Sequence, residues 1–142
     1  MARNRTILVV DDEETDREAQ GDALRDAGYT VVLAESYTDA IAAYDTTPGI
    51  TFLVADVAFP DGNGCGLASV LQQRQPGLGV LFVSGHVGSE VCQYYGLDVT
   101  DLHFLRKPFQ PAELVARVKR VMKSDLRFPK LYVPKTWGSS GD

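Results

Sequence analysis

Sulfur, histidine and tryptophan are all scarce in this chain: its 142 residues include two cysteines, two methionines, two histidines and one tryptophan. Cys65 and Cys92 stand far apart and in no metal-like spacing. Neither a disulfide framework nor a zinc site finds support, and both are expected to be free thiols. Positive charge is in short supply too. Fourteen Lys and Arg face 19 Asp and Glu, for a net charge of −5, which argues against nucleic acid as a partner because phosphate binding needs a basic face. Long apolar runs are missing. The N-terminal MARNRTILVVDDEE turns acidic directly after Val10, too soon for a signal peptide or a bilayer span. No membrane segment and a cytoplasmic setting are therefore expected. What is present, 44% apolar and 23% charged residues, suits an ordinary folded domain with a single core.

Five short apolar runs recur at regular spacing: Thr6 to Val10, Thr30 to Leu33, Thr51 to Val54, Val80 to Val83 and Leu102 to Leu105. They mostly lack polar alternation, the mark of strands covered on both faces, as in a parallel sheet. Helical period fills the intervals. Thr15 to Ala27 carries Ala19, Ala23, Leu24 and Ala27, and Gly28 stands where a helix end needs a left-handed residue. Ser36 and Asp39 form a capping pair ahead of Tyr37, Ala40, Ile41 and Tyr44, and Pro48-Gly49 closes that segment. Leu67, Val70, Leu71 and Arg74 mark a third helix ended by Pro76-Gly77, and a fourth is expected between Ser89 and Tyr95. A final helix opens at Pro111 and carries Leu114, Val115, Val118, Val121 and Met122. Five alternations of strand and helix, joined by right-handed crossovers, predict an α/β doubly wound five-stranded parallel sheet with helices on both faces. The domain is expected to span residues 1–124. The tail, 125–142, is too short for an output domain and is expected to be a linker, docking or partly disordered segment; it holds Phe128, Leu131, Tyr132, Val133 and Trp137.

In such a sheet, ligands gather outside the carboxyl ends of the strands. Those ends carry Asp11 and Asp12, then Asp56, Ser84 and Lys107. Three carboxylates brought close repel one another unless a cation joins them. Mg²⁺, with its preference for six oxygen ligands, suits Asp11, Asp12 and Asp56 together with a backbone carbonyl. A carboxylate surrounded by fixed positive charge can accept a phosphoryl group, giving an aspartyl phosphate. Lys107 and the metal supply the charge, the Ser84 hydroxyl offers a hydrogen bond, and Gly85 leaves room for close approach.

The motifs ILVVDDEE, LVADVAFPDGNG, VLFVSG and FLRKPF resemble those of CheY-like receiver domains of two-component response regulators, over about residues 5 to 123. The resemblance implies the flavodoxin-like strand order 2-1-3-4-5, with Asp56 as phosphoacceptor and Asp11, Asp12, Asp56 and the Ala58 carbonyl as Mg²⁺ ligands. It also implies that Ser84 and Lys107 contact the phosphoryl group and that the Lys107-Pro108 peptide is cis. Ser84 would couple to Phe104, which stands where relatives often have Tyr and would swing inward without a hydroxyl. The implied donor is a histidine kinase or phosphotransfer protein. The responding surface is the fourth helix, fifth strand and fifth helix, through which, or through the tail, a homodimer would form. The domain would then be a phosphoacceptor signalling module rather than an enzyme, catalysing at most its own phosphotransfer and slow dephosphorylation.

Two other functions compete. Asp11-Asp12-Glu13-Glu14-Thr15 partly mimics the first-strand signature of haloacid-dehalogenase-type phosphatases, but Glu13 replaces the second Asp and the fifth strand ends in Lys107-Pro108. A flavodoxin-like binding module would want a Ser/Thr/Gly phosphate loop where DDEETD stands. Among single residues, His86 is either a guard of the attacking water or a solvated loop residue, while His103 reads as structural and Arg106 as outward-facing. Cys65, near the site, is either redox sensitive or an inert thiol, and the inert reading is preferred. Tyr94, Tyr95 and the tail aromatics form either an interface or packing on the domain's own core.

Overall fold

A computed structural model describes residues 5–85, 97–98, 101–124 and 130–131. Five strands make one parallel sheet: β1 (Thr6–Val10), β2 (Thr30–Ala34), β3 (Ile50–Asp56), β4 (Gly79–Ser84) and β5 (Phe104–Arg106). Their order across the sheet is β2-β1-β3-β4-β5, so the chain reverses direction across the sheet between β1 and β3. The helices are α1 (Glu14–Asp26), α2 (Tyr37–Thr46), α3 (Gly64–Arg74) and a C-terminal helix (Pro111–Lys123). The helix expected between Ser89 and Tyr95, His86, the Tyr94-Tyr95 pair and the tail aromatics Phe128, Tyr132 and Trp137 lie outside the described residues.

The apolar strand runs owe their lack of alternation to two cores, one on each face of the sheet. Leu8, Val10, Leu53, Ala55, Val80 and Phe82 pack on one face with Leu67, Ala68 and Leu71 of α3. Ile7, Val9, Phe52, Val54, Leu81 and Val83 point the other way, against Leu24 of α1 and Leu114, Val118 and Val121 of the C-terminal helix. Side chains of period two thus find apolar cover on both sides.

Local chemistry places the helix ends. The Ser36 hydroxyl accepts the Asp39 N–H (3.0 Å), as the sequence suggests, and Asn63 caps α3 by accepting the Gly66 N–H (2.8 Å). The Glu113 carboxylate accepts the Gln110 N–H (2.7 Å) and closes the first turn of the C-terminal helix. Gly28 follows α1 with φ +102°, the left-handed conformation expected there. β3 extends past the apolar run Thr51 to Val54 and ends at Asp56, the strand end expected. β5 begins later than expected, because Asp101–His103 form a 3-10 turn. Among the described residues are also two short antiparallel pairs: Ala58–Phe59 with Gly62–Asn63, and Leu97–Asp98 with Lys130–Leu131 of the tail.

Candidate functional site

The parallel register gathers the polar strand ends at one edge. β1 pairs Val10 with Ala55, which puts Asp11 level with Asp56, and β3 pairs Asp56 with Val83, so Ser84 stands one residue further along the same edge. Ser84 pairs with Arg106, and the Lys107 N–H donates to the Ser84 carbonyl (2.9 Å). The Lys107-Pro108 peptide is cis, as expected.

At this edge Asp11, Asp12 and Asp56 each present a carboxylate oxygen, and these atoms lie within 4.8 Å of one another. Asp11 is fully buried, Asp56 half-buried and Asp12 exposed. The Lys107 ammonium reaches in from the end of β5, donating to Asp11 Oδ2 (2.8 Å) and Asp56 Oδ2 (3.0 Å). Burial alone would lower the Lys107 pKa, but the hydrogen bonds to and charges of Asp11 and Asp56 outweigh it and hold the amine above the ordinary lysine range. One lysine against three carboxylates still leaves the pocket strongly negative. An all-oxygen donor set of this kind, graded from buried to exposed, fits a hard divalent cation.

Three contributors escape a reading by sequence alone. Asp16, in the first turn of α1, accepts a third hydrogen bond from Lys107 (3.1 Å). Gln20, one turn later, donates from Nε2 to Asp11 Oδ2 (2.9 Å), and the Glu13 N–H donates to the other Asp11 oxygen (3.0 Å). The only signal for Asp16 and Gln20 is their four-residue spacing after Asp12, which places both on the helix face turned to the site. Gly64 is the third. A Cβ there would collide with the Asp56 carbonyl oxygen, and its N–H donates to Val57 (2.8 Å), so only glycine lets α3 close this tightly behind the acidic strand end.

The remaining candidates take up varied positions. The Ala58 N–H donates to Asp56 Oδ1 (3.2 Å). Phe104 is half-buried, with its ring 5.5 Å from that of Phe82, and Arg106 is exposed, as expected. His103 is buried in the turn before β5, in keeping with a structural role. Cys65 corrects the expectation of a free, inert thiol: it is disulfide-bonded, fully buried in the first turn of α3. A pairing depends on which segments meet in space, which spacing along the chain does not encode. Beside Lys107, a cleft of about 460 Å³ between α1 and the C-terminal helix is lined by Asp16, Gln20, Gly85, Phe109 and Leu114 among others.

Fold and site together define a doubly wound α/β domain with an acidic, lysine-bridged pocket at the carboxyl ends of its parallel strands. The chain belongs to the response regulator receiver domain family, matched over residues 7–119. It is 36% identical over 121 residues to the phosphate regulon transcriptional regulatory protein PhoB of Pseudomonas aeruginosa, covering 84% of this chain and 52% of that protein. It is 31% identical over 119 residues to the sensor kinase CckA of Brucella abortus, covering 83% of this chain and 12% of the kinase. The chain thus spans about half or less of the length of these curated relatives. Among solved structures, a response regulator receiver protein from Sinorhizobium medicae superposes with a TM-score of 0.75 at 28% identity, covering 86% of this chain and 97% of that one. The chemotaxis protein CheY4 of Vibrio cholerae shares the fold, with a TM-score of 0.73 at 23% identity over 83% and 98% of the two chains. The chain is a receiver domain of two-component signalling. Among the described residues, no helix is long and apolar enough to cross a membrane.

Proposed function

We propose that this receiver is a phosphorylation switch in which Asp56 accepts a phosphoryl group from a histidine kinase or phosphotransfer protein. The observation that carries the reading is the Lys107 ammonium 3.0 Å from Asp56 Oδ2, within a cluster of three carboxylates. An Asp56 oxygen attacks phosphorus, a P–O bond forms as the donor's P–N bond breaks, and the bond's electron pair stays on the departing nitrogen, leaving neutral imidazole whose other ring nitrogen carries the proton. Lys107 pairs with the phosphoryl oxygens, and Ser84 donates its hydroxyl to one of them. Asp11, Asp12, Asp56 and the Ala58 carbonyl would hold Mg²⁺, which when bound supplies charge neutralisation for the transferred group.

The added charge, roughly −2, then favours a state in which Ser84 moves toward the phosphoryl group and Phe104 follows it inward. Phe104 already lies against Phe82, so its inward movement repacks that pair. The altered surface, formed by β5, the C-terminal helix and the segment before β5, meets a target or a second copy in the cytoplasm. The 1–124 unit is the receiver proper, and 125–142 its appended tail. The phosphatase alternative loses ground to the family match and to Lys107 at the end of β5.

Borohydride reduction tests the acceptor assignment, since an acyl phosphate is reduced to an alcohol while free carboxylates are not. After phosphotransfer, peptide mapping should find homoserine at position 56. Homoserine at 11 or 12 instead would overturn it.

A further inference from the structure

Lys107 is shared among three carboxylates, and one of them lies outside the acidic cluster. Its Nζ stands 2.8 Å from Asp11, 3.0 Å from Asp56 and 3.1 Å from Asp16. An ammonium has three N–H donors, so these contacts use all of them. A phosphoryl group arriving at Asp56 needs a donor from Lys107, and one existing partner must give way. Asp11 is a poorer candidate, because its side chain is fully buried and water cannot take the place of the ammonium there; only a bound cation would. Asp56 is itself the site of attachment. Asp16 is 46% exposed, so water can take over its solvation at small cost.

We propose that Asp16 is a positioning residue that acts through Lys107, docking the ammonium in the unphosphorylated chain and competing with the phosphoryl group for it. This rests on the reading of Asp56 as phosphoacceptor. The competition sets how readily the site takes its ligand: Asp16 lowers affinity for a phosphoryl donor, and release of its contact accompanies each loading of the site. Its position in the first turn of α1 also ties that helix to the charge state of the pocket, since Gln20 one turn on holds Asp11. The cleft beside Lys107, which Asp16 and Gln20 both line, gives the released carboxylate open space to enter.

The test compares wild type, Asp16→Asn and Asp16→Glu with acetyl phosphate and Mg²⁺, following adduct formation by intact mass, and with beryllofluoride by calorimetry. Removing the charge should lower the KM for acetyl phosphate and tighten beryllofluoride binding about two- to fivefold, the range of an exposed ion pair, with little change in kcat. Asp16→Glu should return both toward wild type. The difference between wild type and Asp16→Asn should shrink at high salt, which a purely structural role would not produce. Equal KM and equal beryllofluoride affinity in wild type and Asp16→Asn, with both labelled, would overturn the proposal, as would weaker binding in the variant. A separate reading needs no donor: a double-mutant cycle of Asp16→Asn with Lys107→Met should show coupling in urea unfolding, and zero coupling would overturn the contact itself. A wild-type chain that takes up no phosphoryl group while the cycle shows coupling would instead overturn the phosphoacceptor reading, and the competition with it.

Discussion

Lys107 is the residue on which the pocket depends, because it is the cation set among carboxylates that would otherwise repel one another. Lys107→Ala should destabilise the fold by roughly 2–4 kcal/mol without divalent metal, somewhat under the full cost of breaking a buried pair because Asp56 and Asp16 keep some water. Urea unfolding in EDTA measures this. The amine's pKa is raised in the folded chain, so its contribution is fully present below the ordinary lysine value of 10.5 and is lost as pH rises through the higher folded value. The gap between wild type and Lys107→Ala should therefore hold steady from neutral pH to about pH 10 and close only in stronger alkali. A gap that closed near neutrality would assign the stabilisation to another group.

At the scale of elements, α2 is held from outside by the turn that follows β3. Asp61 accepts the N–H groups of Tyr37 (2.9 Å) and Thr38 (3.1 Å) and the Thr38 hydroxyl (2.9 Å), capping α2 with a residue from another segment. The hydrogen bonds from Thr38 and Tyr37 lower its pKa. A lowered folded pKa gives stability that is present above the ordinary carboxylate value and lost as pH falls through the folded one. Asp61→Ala should thus unfold at lower urea concentration than wild type at pH 7, and the two midpoints should converge in strong acid; parallel midpoints down to pH 2 would contradict the cap. This element was only partly legible in the sequence. The Ser36 cap follows from local spacing, but a cap supplied from 24 residues away has no local signature. The same contrast runs through the molecule. Strands whose two faces are both buried show as unbroken apolar runs, so β1, β3 and β4 stand out, and the half-buried edge strand β2 still reads as one, while Leu102 and His103 extend the last run into what is a turn. Asp11, Asp12, Asp56, Ser84 and Lys107 are legible because polar residues at apolar strand ends are conspicuous. Asp16 and Gln20 are not, because a polar residue on a helix usually marks only a solvated face, and the bond at Cys65 depends on distant segments meeting.

For the whole molecule, a cation held in the acidic pocket would link stability to metal. If Asp11, Asp12 and Asp56 hold Mg²⁺ in the folded chain and not in the unfolded one, ligand at about a hundred times its Kd should stabilise the fold by about 2.7 kcal/mol. Thermal unfolding with and without Mg²⁺ reads this directly. The shift should vanish in Asp12→Ala, whose exposed side chain makes that substitution cheap for the fold itself. An unchanged Mg²⁺-dependent shift in Asp12→Ala would place the cation elsewhere. On the proposed function, the same pocket would have two electrostatic states, one bridged by Lys107 and one loaded with cation and phosphoryl group.

Intact-mass spectrometry after incubation with acetyl phosphate reads both the acceptor residue and its need for metal, applied to wild type and Asp56→Asn with either Mg²⁺ or EDTA. A single adduct of about 80 Da, the mass of one phosphoryl group, is predicted in wild type with Mg²⁺ and in none of the other three samples. An adduct of the same yield in Asp56→Asn, or in wild type with EDTA, would contradict the account.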